Sequence, residues 1–301
     1  MTTRFDVSTA NVDGRDMHVD IYEPTTSVNH QTAVLVVHPG GWASGDRKMV
    51  QPQCEALARH GFTALAVEYR LVPESPWPAQ LADVKTAVRW TVRNAGQLGI
   101  DSDKLVVQGH SAGAHLALMA AGTSDSGNLN PDRNNEAPDQ SIAAVVAYYP
   151  PVRLDPGRAV PDMSAGLNAA VLAALWAPDG SLPAAMLLAD ATTAEGAAAA
   201  SPLTYTANLP PTVLFHGTGD SMVAHAGSVA LYETLSASGI PSELHLMAGV
   251  DHAFDFTASL AEVCTTAAEA FLSRYVIDPQ GFAKEEARTN PIVAARQSAH
   301  A

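Results

Sequence analysis

Residues 104–121 restrict the fold of this chain more than any other stretch, because a glycine-rich turn joins a strand-like pattern to a helical pattern there. Leu105–Val107 is a short apolar run, Gly109-His-Ser-Ala-Gly113 follows it, and the next residues are rich in Ala, Leu and Met. A Gly-x-Ser-x-Gly turn between a strand and a helix is a nucleophile elbow, which lifts a serine hydroxyl above the carboxyl end of a parallel sheet. The stretch therefore predicts a strand, a strained turn that carries Ser111, and a helix.

Apolar runs alternate with helical patterns along most of the chain. The other runs that predict strands are residues 33–37, 62–67, 142–148, 212–216 and 243–247. This alternation predicts an α/β fold with a mostly parallel central sheet and helices on both faces. Residues 3–23 alternate between polar and apolar side chains, which predicts an antiparallel pair at the sheet edge. We expect residues 1–277 to form a single domain.

The pattern changes between residues 153 and 200, where 16 of 48 residues are alanine and no strand-like run occurs. We interpret 153–200 as a helical insertion after the sixth strand, and therefore as a lid over the active-site edge of the sheet. The alternative is a crossover of ordinary helices that does not contact the substrate. Residues 278–301 are polar and contain Pro279, Gly281 and Pro291, so they predict a surface extension or a frayed tail.

The chemistry expected at the elbow needs a base for the serine and an acid that holds the base. Asp220 and His252 each follow a predicted strand, and the chain order Ser111, Asp220, His252 is the order that such a fold uses. Ser111 is the predicted nucleophile, His252 the general base and Asp220 its orienting carboxylate. Asp251 is next to His252 in the chain, so its side chain should diverge from the ring, and Asp190 follows no strand.

Four other histidines lie near these motifs. A structural hydrogen bond is expected for His38 and His216, which end strands. Packing is expected for His110 and His115, which lie at the elbow and on its helix.

The developing negative charge needs backbone N–H donors. Gly40 and Gly41 follow a central strand and have no Cβ, and the amide of Ala112 begins the helix after Ser111, so these three are the predicted oxyanion hole. Pro39 is excluded because it has no N–H. Trp42 is expected to be a wall of the substrate pocket or a strut for the loop.

Composition excludes several classes of function. The net charge is −14 and there are only four lysines, which argues against a nucleic-acid partner. No apolar stretch is long enough for a membrane span and no signal core follows Met1, so we expect a cytoplasmic protein without a membrane partner.

The sequence also argues against a metal site or a cofactor. Cys54 and Cys264 are far apart and form no ligand cluster. The oxygen ligands of a polar loop, Asp125, Asn128, Asn130 and Asp132, do not have the spacing of a calcium loop. We expect no metal and no cofactor.

Taken together, the motifs resemble the α/β-hydrolase superfamily, and within it the bacterial esterase/lipase group that includes hormone-sensitive-lipase-like and feruloyl-esterase-like carboxylesterases. The resemblance covers residues 33–275 and rests on four motifs: His38-Pro-Gly-Gly-Trp42, Tyr69-Arg-Leu-Val-Pro-Glu74, Gly109-His-Ser-Ala-Gly113, and Gly219-Asp220 with Asp251-His252-Ala-Phe254. Pro39 stands where the family has glycine. Since the stretch before Ala33 is short, we expect no long N-terminal cap like that of hormone-sensitive-lipase-like enzymes, and a lid should come from 153–200.

The resemblance implies a serine carboxylesterase that cleaves small esters through an acyl-enzyme on Ser111. An amidase of the arylformamidase type is the alternative on the same machinery. A non-catalytic binding protein of this fold is less favoured, because such proteins usually lose a member of the triad. The expected partner is a small-molecule ester, and a homodimer is left open.

Overall fold

The computed structural model describes residues 3–123, 129, 142–164, 166–188 and 193–298. Within these ranges the largest element is an eight-stranded sheet with the order β1-β2-β4-β3-β5-β6-β9-β10. Its strands are β1 (Thr3–Val12), β2 (Arg15–Tyr22), β3 (Ala33–Val37), β4 (Thr63–Val67), β5 (Leu105–His110), β6 (Ala144–Tyr148), β9 (Thr212–Gly217) and β10 (Ser242–Met247). β1 and β2 pair antiparallel, as does β2 with β4, and the remaining neighbours are parallel. The predicted α/β architecture and its antiparallel edge pair are confirmed.

Helices cover both faces of the sheet, and the strands separate two apolar cores because successive side chains point to opposite faces. Val34 and Val36 of β3 pack with α1 (Gln51–Arg59) and α9 (Ala258–Leu272). Leu35 and Val37 pack on the other face with α2 (Ala79–Arg93), α4 (Ala112–Gly122) and α8 (Ala226–Ala237). The short helix α3 (Ala95–Leu98) follows α2. All five side chains of β3 are buried, which accounts for its continuous apolar sequence.

Residues 153–200, the insertion, lie between β6 and β9. Its helices are α5 (Ala169–Leu175), α6 (Ala185–Leu188) and α7 (Ala194–Ala199). It also contains a parallel pair of two-residue strands, β7 (Leu154–Asp155) and β8 (Leu182–Pro183), where only helix was expected. A ladder of this length is too short to produce a period-2 pattern in the sequence.

Residues 278–298 contain two surface helices, α10 (Pro279–Thr289) and α11 (Pro291–Ser298). Pro279 and Pro291 stand at the first helical positions, where the missing N–H costs no hydrogen bond. Asp278 caps α10, since its Oδ1 accepts from the amide of Gly281 at 2.9 Å.

None of the helices in the described ranges combines the length and the apolar character that a membrane crossing requires.

Candidate active site

Ser111 occupies the turn between β5 and α4, at a backbone conformation that L-residues rarely adopt. Its φ is 54° and its ψ is −118°. The amide of Ser111 donates to the carbonyl of Tyr148 at 3.0 Å, and its carbonyl accepts from the amide of His115 at 3.0 Å. These two bonds tie the strained residue to the end of β6 and to α4, so the surrounding structure holds the strain.

Two glycines allow this turn to fit between its neighbours. A Cβ on Gly109 would lie 2.2 Å from the carbonyl oxygen of Gly113. A Cβ on Gly113 would lie 2.2 Å from the carbonyl oxygen of Val37, at the end of β3. Both atoms belong to the backbone, so no side-chain adjustment could relieve the overlap.

His252 connects Ser111 to Asp220. The Oγ–H of Ser111 faces Nε2 of His252 at 3.0 Å, and Nδ1 of the same ring faces Oδ2 of Asp220 at 2.8 Å. Asp220 follows β9 and His252 follows β10, so the carboxyl ends of neighbouring strands bring the two side chains together. Ser111 and Asp220 are buried, while the His252 side chain is 12% exposed.

The carboxylate of Asp220 is fixed by further donors. Its Oδ1 accepts from the amides of Met222 and Val223, each at 2.8 Å. Nε2 of His216 lies 2.8 Å from the carbonyl of Val223 and 3.1 Å from Oδ2 of Asp220, and because a carbonyl can only accept, this nitrogen carries the hydrogen. Burial raises the pKa of Asp220, but the hydrogen bonds from His216, His252 and Val223 outweigh it and hold the pKa well below its usual value.

The loop after β3 presents the predicted oxyanion-hole glycines. Gly40 has a φ of 132° and Gly41 a φ of 58°, and a Cβ on Gly40 would lie 2.0 Å from the carbonyl oxygen of Ser44. Among the described residues the amides of Gly40 and Gly41 have no hydrogen-bond partner. Ala112 is the first residue of α4, so its amide has no acceptor within the helix.

The side chain of Trp42 lies beneath this loop. It is fully buried, and its Nε1–H donates to Nδ1 of His115 at 3.3 Å. Nε2–H of His115 donates in turn to the carbonyl of Ala200 at the end of the insertion, at 2.7 Å. Burial lowers the pKa of His115 to about 4, so the ring is neutral near pH 7. Trp42 therefore supports the loop, and it also lines a small cavity beside Ser111.

Comparison with known proteins gives the family. The family model described as BD-FAE matches residues 19–235 of the chain, which include the loop after β3, the elbow and Asp220.

The chain belongs to the BD-FAE family.

Two curated proteins from Mycobacterium tuberculosis are similar to this BD-FAE chain. Esterase LipQ is 29% identical over 82% of the chain and 56% of its own length. The probable carboxylic ester hydrolase LipM is 30% identical over 86% of the chain and 58% of its own length. The chain thus spans somewhat more than half the length of these relatives.

A solved structure has the same fold. The native structure of Thermogutta terrifontis esterase 2 is 26% identical and has a TM-score of 0.72, covering 93% of this chain and 95% of that one. The chain is therefore an α/β-hydrolase, related to bacterial esterases and lipases of the hormone-sensitive-lipase-like group.

The carboxylates weighed against Asp220 in this BD-FAE chain lie elsewhere. Oδ1 of Asp251 accepts from the amide of Ser221 at 2.8 Å and from the backbone amide of His252 at 2.7 Å, so it does not contact the imidazole. Asp190 and the four candidate calcium ligands lie outside the described residues.

A buried polar cluster behind Ser111, Asp220 and His252 was missed by the sequence analysis. The ring of Tyr149 packs 4.4 Å from that of His252, and its hydroxyl donates to Oδ1 of Asp255 at 2.5 Å. Oδ2 of the same carboxylate lies 3.0 Å from Nδ1 of His110, the residue before Ser111. Asp255 joins the elbow to the loop of His252, and its position three residues after His252 was the only signal in the sequence.

Proposed function

We propose that this BD-FAE chain is a serine carboxylesterase with Ser111 as nucleophile, His252 as general base and Asp220 as orienting acid. The observation that carries the proposal is the pair of contacts at His252, whose Nε2 faces Ser111 Oγ at 3.0 Å and whose Nδ1 faces Asp220 Oδ2 at 2.8 Å. A nucleophile, a base and an orienting group within hydrogen-bond reach are what activation of a serine requires.

In the proposed acylation step, Ser111 Oγ attacks the ester carbonyl carbon and gives its proton to His252 Nε2. The amides of Gly40, Gly41 and Ala112 stabilise the oxyanion that forms, since they carry no competing acceptor. His252 then donates the proton to the leaving alkoxide oxygen, the C–O bond breaks, and the acyl group remains on Ser111. Asp220 stays ionised because of its lowered pKa and stabilises the imidazolium that exists between these transfers.

Deacylation repeats the sequence with water as the nucleophile. His252 Nε2 takes a proton from the water, the hydroxide attacks the acyl carbon, and the proton returns to Ser111 Oγ as the acid leaves. Each step uses the same base and the same amides, so one arrangement of residues serves both halves of the reaction.

The insertion contributes to the same site, and we propose that it acts as the lid. Leu175, Leu182 and Met186, which belong to it, line the small cavity beside Ser111. These three side chains support substrate contact by the insertion over the alternative of a crossover that does not contact the substrate.

Names of related proteins support an esterase activity. LipQ and LipM are named as an esterase and a probable carboxylic ester hydrolase. Thermogutta terrifontis esterase 2, at 25% identity, has been solved phosphorylated by paraoxon and, separately, with butyrate bound.

The test is turnover of p-nitrophenyl acetate beside that of an arylformamide, combined with labelling by a fluorophosphonate. We expect the ester to be the better substrate, the label to be on Ser111, and Ser111→Ala to fold normally but to lose both activity and label. Faster turnover of the formamide would favour the amidase alternative. A label found mainly on another serine would contradict the assignment of the nucleophile.

A further inference from the structure

The cavity beside Ser111 is small. Its volume is about 30 Å³, and Leu175, Leu182, Met186 and Met222 form its apolar walls. A cavity of this size holds a small group such as the methyl of an acetyl group, and a longer chain does not fit.

A larger apolar groove lies on the other side of Met186. Its volume is about 560 Å³, and it runs between the loop after β3 and the insertion. Its lining includes Val72, Val160, Met163 and Leu167. Leu167 is 60% exposed, and an exposed apolar side chain beside an apolar groove is typical of a surface that binds an apolar ligand.

Met186 and Gly41 border both spaces. The terminal methyl of Met186 lies 3.7 Å from the position that a Cβ on Gly41 would occupy, so the side chain crosses from the insertion to the loop after β3. The backbone of α6 is fixed, because the amide of Ala184 donates to the carbonyl of Asp155 at 2.8 Å and Leu187 is buried. The unbranched thioether is therefore the movable part of this partition.

The order of the strands indicates which half of an ester would meet the partition. The leaving oxygen must face His252, which follows β10, whereas the groove borders the loop after β3, on the opposite side of Ser111 in the sheet order. In the tetrahedral intermediate the oxyanion faces the amides of Gly40 and Gly41, and the acyl chain and the leaving oxygen diverge from the same carbon. With the leaving oxygen at His252, the acyl chain extends toward the side of Ser111 that lies away from β10. The groove is thus on the acyl side of the site.

Resting on the carboxylesterase function proposed above, we propose that Met186 sets the length of the acyl group. With the thioether across the opening, the enzyme accepts an acetyl-sized acyl group in the cavity beside Ser111. The groove beyond is a subsite for a linear apolar acyl chain, which reaches it only when Met186 is displaced or shortened.

The test compares kcat/KM for p-nitrophenyl acetate and p-nitrophenyl octanoate in the wild-type chain and in Met186→Ala. We expect the wild type to prefer acetate, and the octanoate-to-acetate ratio to rise at least about tenfold in Met186→Ala, because even single methylenes in an apolar pocket change specificity by such factors. Met222→Ala is the matched control, since Met222 lines the cavity but not the groove. Met222→Ala should raise the propionate-to-acetate ratio of kcat/KM but not the octanoate-to-acetate ratio.

Two further variants keep the test decisive if Met186→Ala folds poorly. Met186→Phe should lower the octanoate-to-acetate ratio, and Leu167→Asn in the Met186→Ala chain should remove most of the gain for octanoate. A wild type that prefers octanoate, or a ratio that none of the Met186 variants changes, would overturn the proposal. The proposal would also be overturned if the Met186 variants changed the relative kcat/KM for phenyl acetate and 2-naphthyl acetate instead, since the groove would then hold the alcohol group. Absence of turnover on every ester, with Ser111 unlabelled, would instead remove the proposed function itself.

Discussion

The proposed triad residues at the strand ends and the insertion beside them are held in place by different kinds of contact. Ser111, Asp220 and His252 follow three strands of one sheet, and short hydrogen bonds to backbone amides and carbonyls fix two of them. The insertion exposes much of its apolar surface, including Trp176 at 44%.

A single side chain organises a large part of the insertion. Arg158 donates to the carbonyls of Ser181 and Leu175, each at 2.7 Å, and to that of Ala174 at 3.0 Å. The proposed proton transfer needs positions fixed within about 0.5 Å and uses the rigid sheet, whereas the proposed contact with a variable substrate group uses a segment with exposed apolar side chains that a few hydrogen bonds hold.

Replacing the acid should have the largest effect. In Asp220→Asn, an amide NH₂ facing His252 would hold the ring in the wrong tautomer, so we expect kcat to fall between about 10² and 10⁴-fold. We also expect Asp220→Asn to lose about 1–3 kcal/mol of unfolding free energy, since the carboxylate accepts hydrogen bonds from His216 and two backbone amides. Steady-state kinetics and thermal unfolding measure the two effects.

Asp251→Asn is the matched control for that variant. Its carboxylate binds Ser221 and a backbone amide, so kcat should stay within a few-fold of wild type. If Asp251→Asn lost activity and Asp220→Asn did not, the orienting acid would be misassigned.

Gly113→Ala should destabilise the sheet strongly. The added methyl would overlap the carbonyl of Val37, so we expect a loss of about 3 kcal/mol or more in unfolding free energy, measured by urea denaturation. Gly96→Ala, in α3, meets no atom within 4 Å and should leave stability unchanged or raise it by up to about 1 kcal/mol. Equal losses in both variants would show that the close approach at Gly113 is relaxed in solution.

Arg158→Gln should loosen the insertion without affecting the sheet. Losing charged donors at the end of α5 should cost about 1–2 kcal/mol of local stability and raise hydrogen exchange in α5, with β5 and α4 unaffected. Arg153→Gln is the control, because Arg153 pairs with Asp179 while both side chains are about half exposed, and such pairs contribute less than about 1 kcal/mol. If hydrogen exchange rose equally across the chain in Arg158→Gln, the insertion would unfold together with the sheet.

The smallest expected effect is a difference in acid sensitivity between two aspartates. The folded-state pKa of Asp220 is lowered, so its carboxylate stabilises the fold above the unfolded value of 3.8, and this contribution is lost as the pH falls further. Burial raises the pKa of Asp179, in the insertion, but hydrogen bonds from Ser181 and the charge of Arg153 lower it overall, with the side chain half exposed.

We therefore expect the stability difference between wild type and Asp220→Asn to be constant from pH 5 to 8 and to shrink below about pH 4. The difference for Asp179→Asn should be smaller throughout, as measured by urea denaturation across this range. A larger acid dependence at Asp179 would reverse the ranking of the two regions.

The sheet and the positions at which chemistry could occur were predictable from the amino-acid sequence. Continuous apolar runs of β-branched residues such as Val34–Val37 are typical of strands buried on both faces, and Gly109 and Gly113 permit a turn that few other sequences allow. Local periodicity and glycine placement act over a few residues, so they can be interpreted without the fold. The α/β class, the antiparallel edge pair and the strand-end locations of Ser111, Asp220 and His252 followed from them.

The tertiary structure was needed to establish which side chains meet. Asp255 contacts His110 across 145 positions of sequence, and Met186 of the insertion reaches Gly41 of the loop after β3. Trp42 turned inward to His115 because its ring finds a buried acceptor there, a partner that no spacing indicates. Such contacts depend on how helices and loops pack over the sheet, and a side chain's neighbours across that packing leave no periodic signal in the sequence.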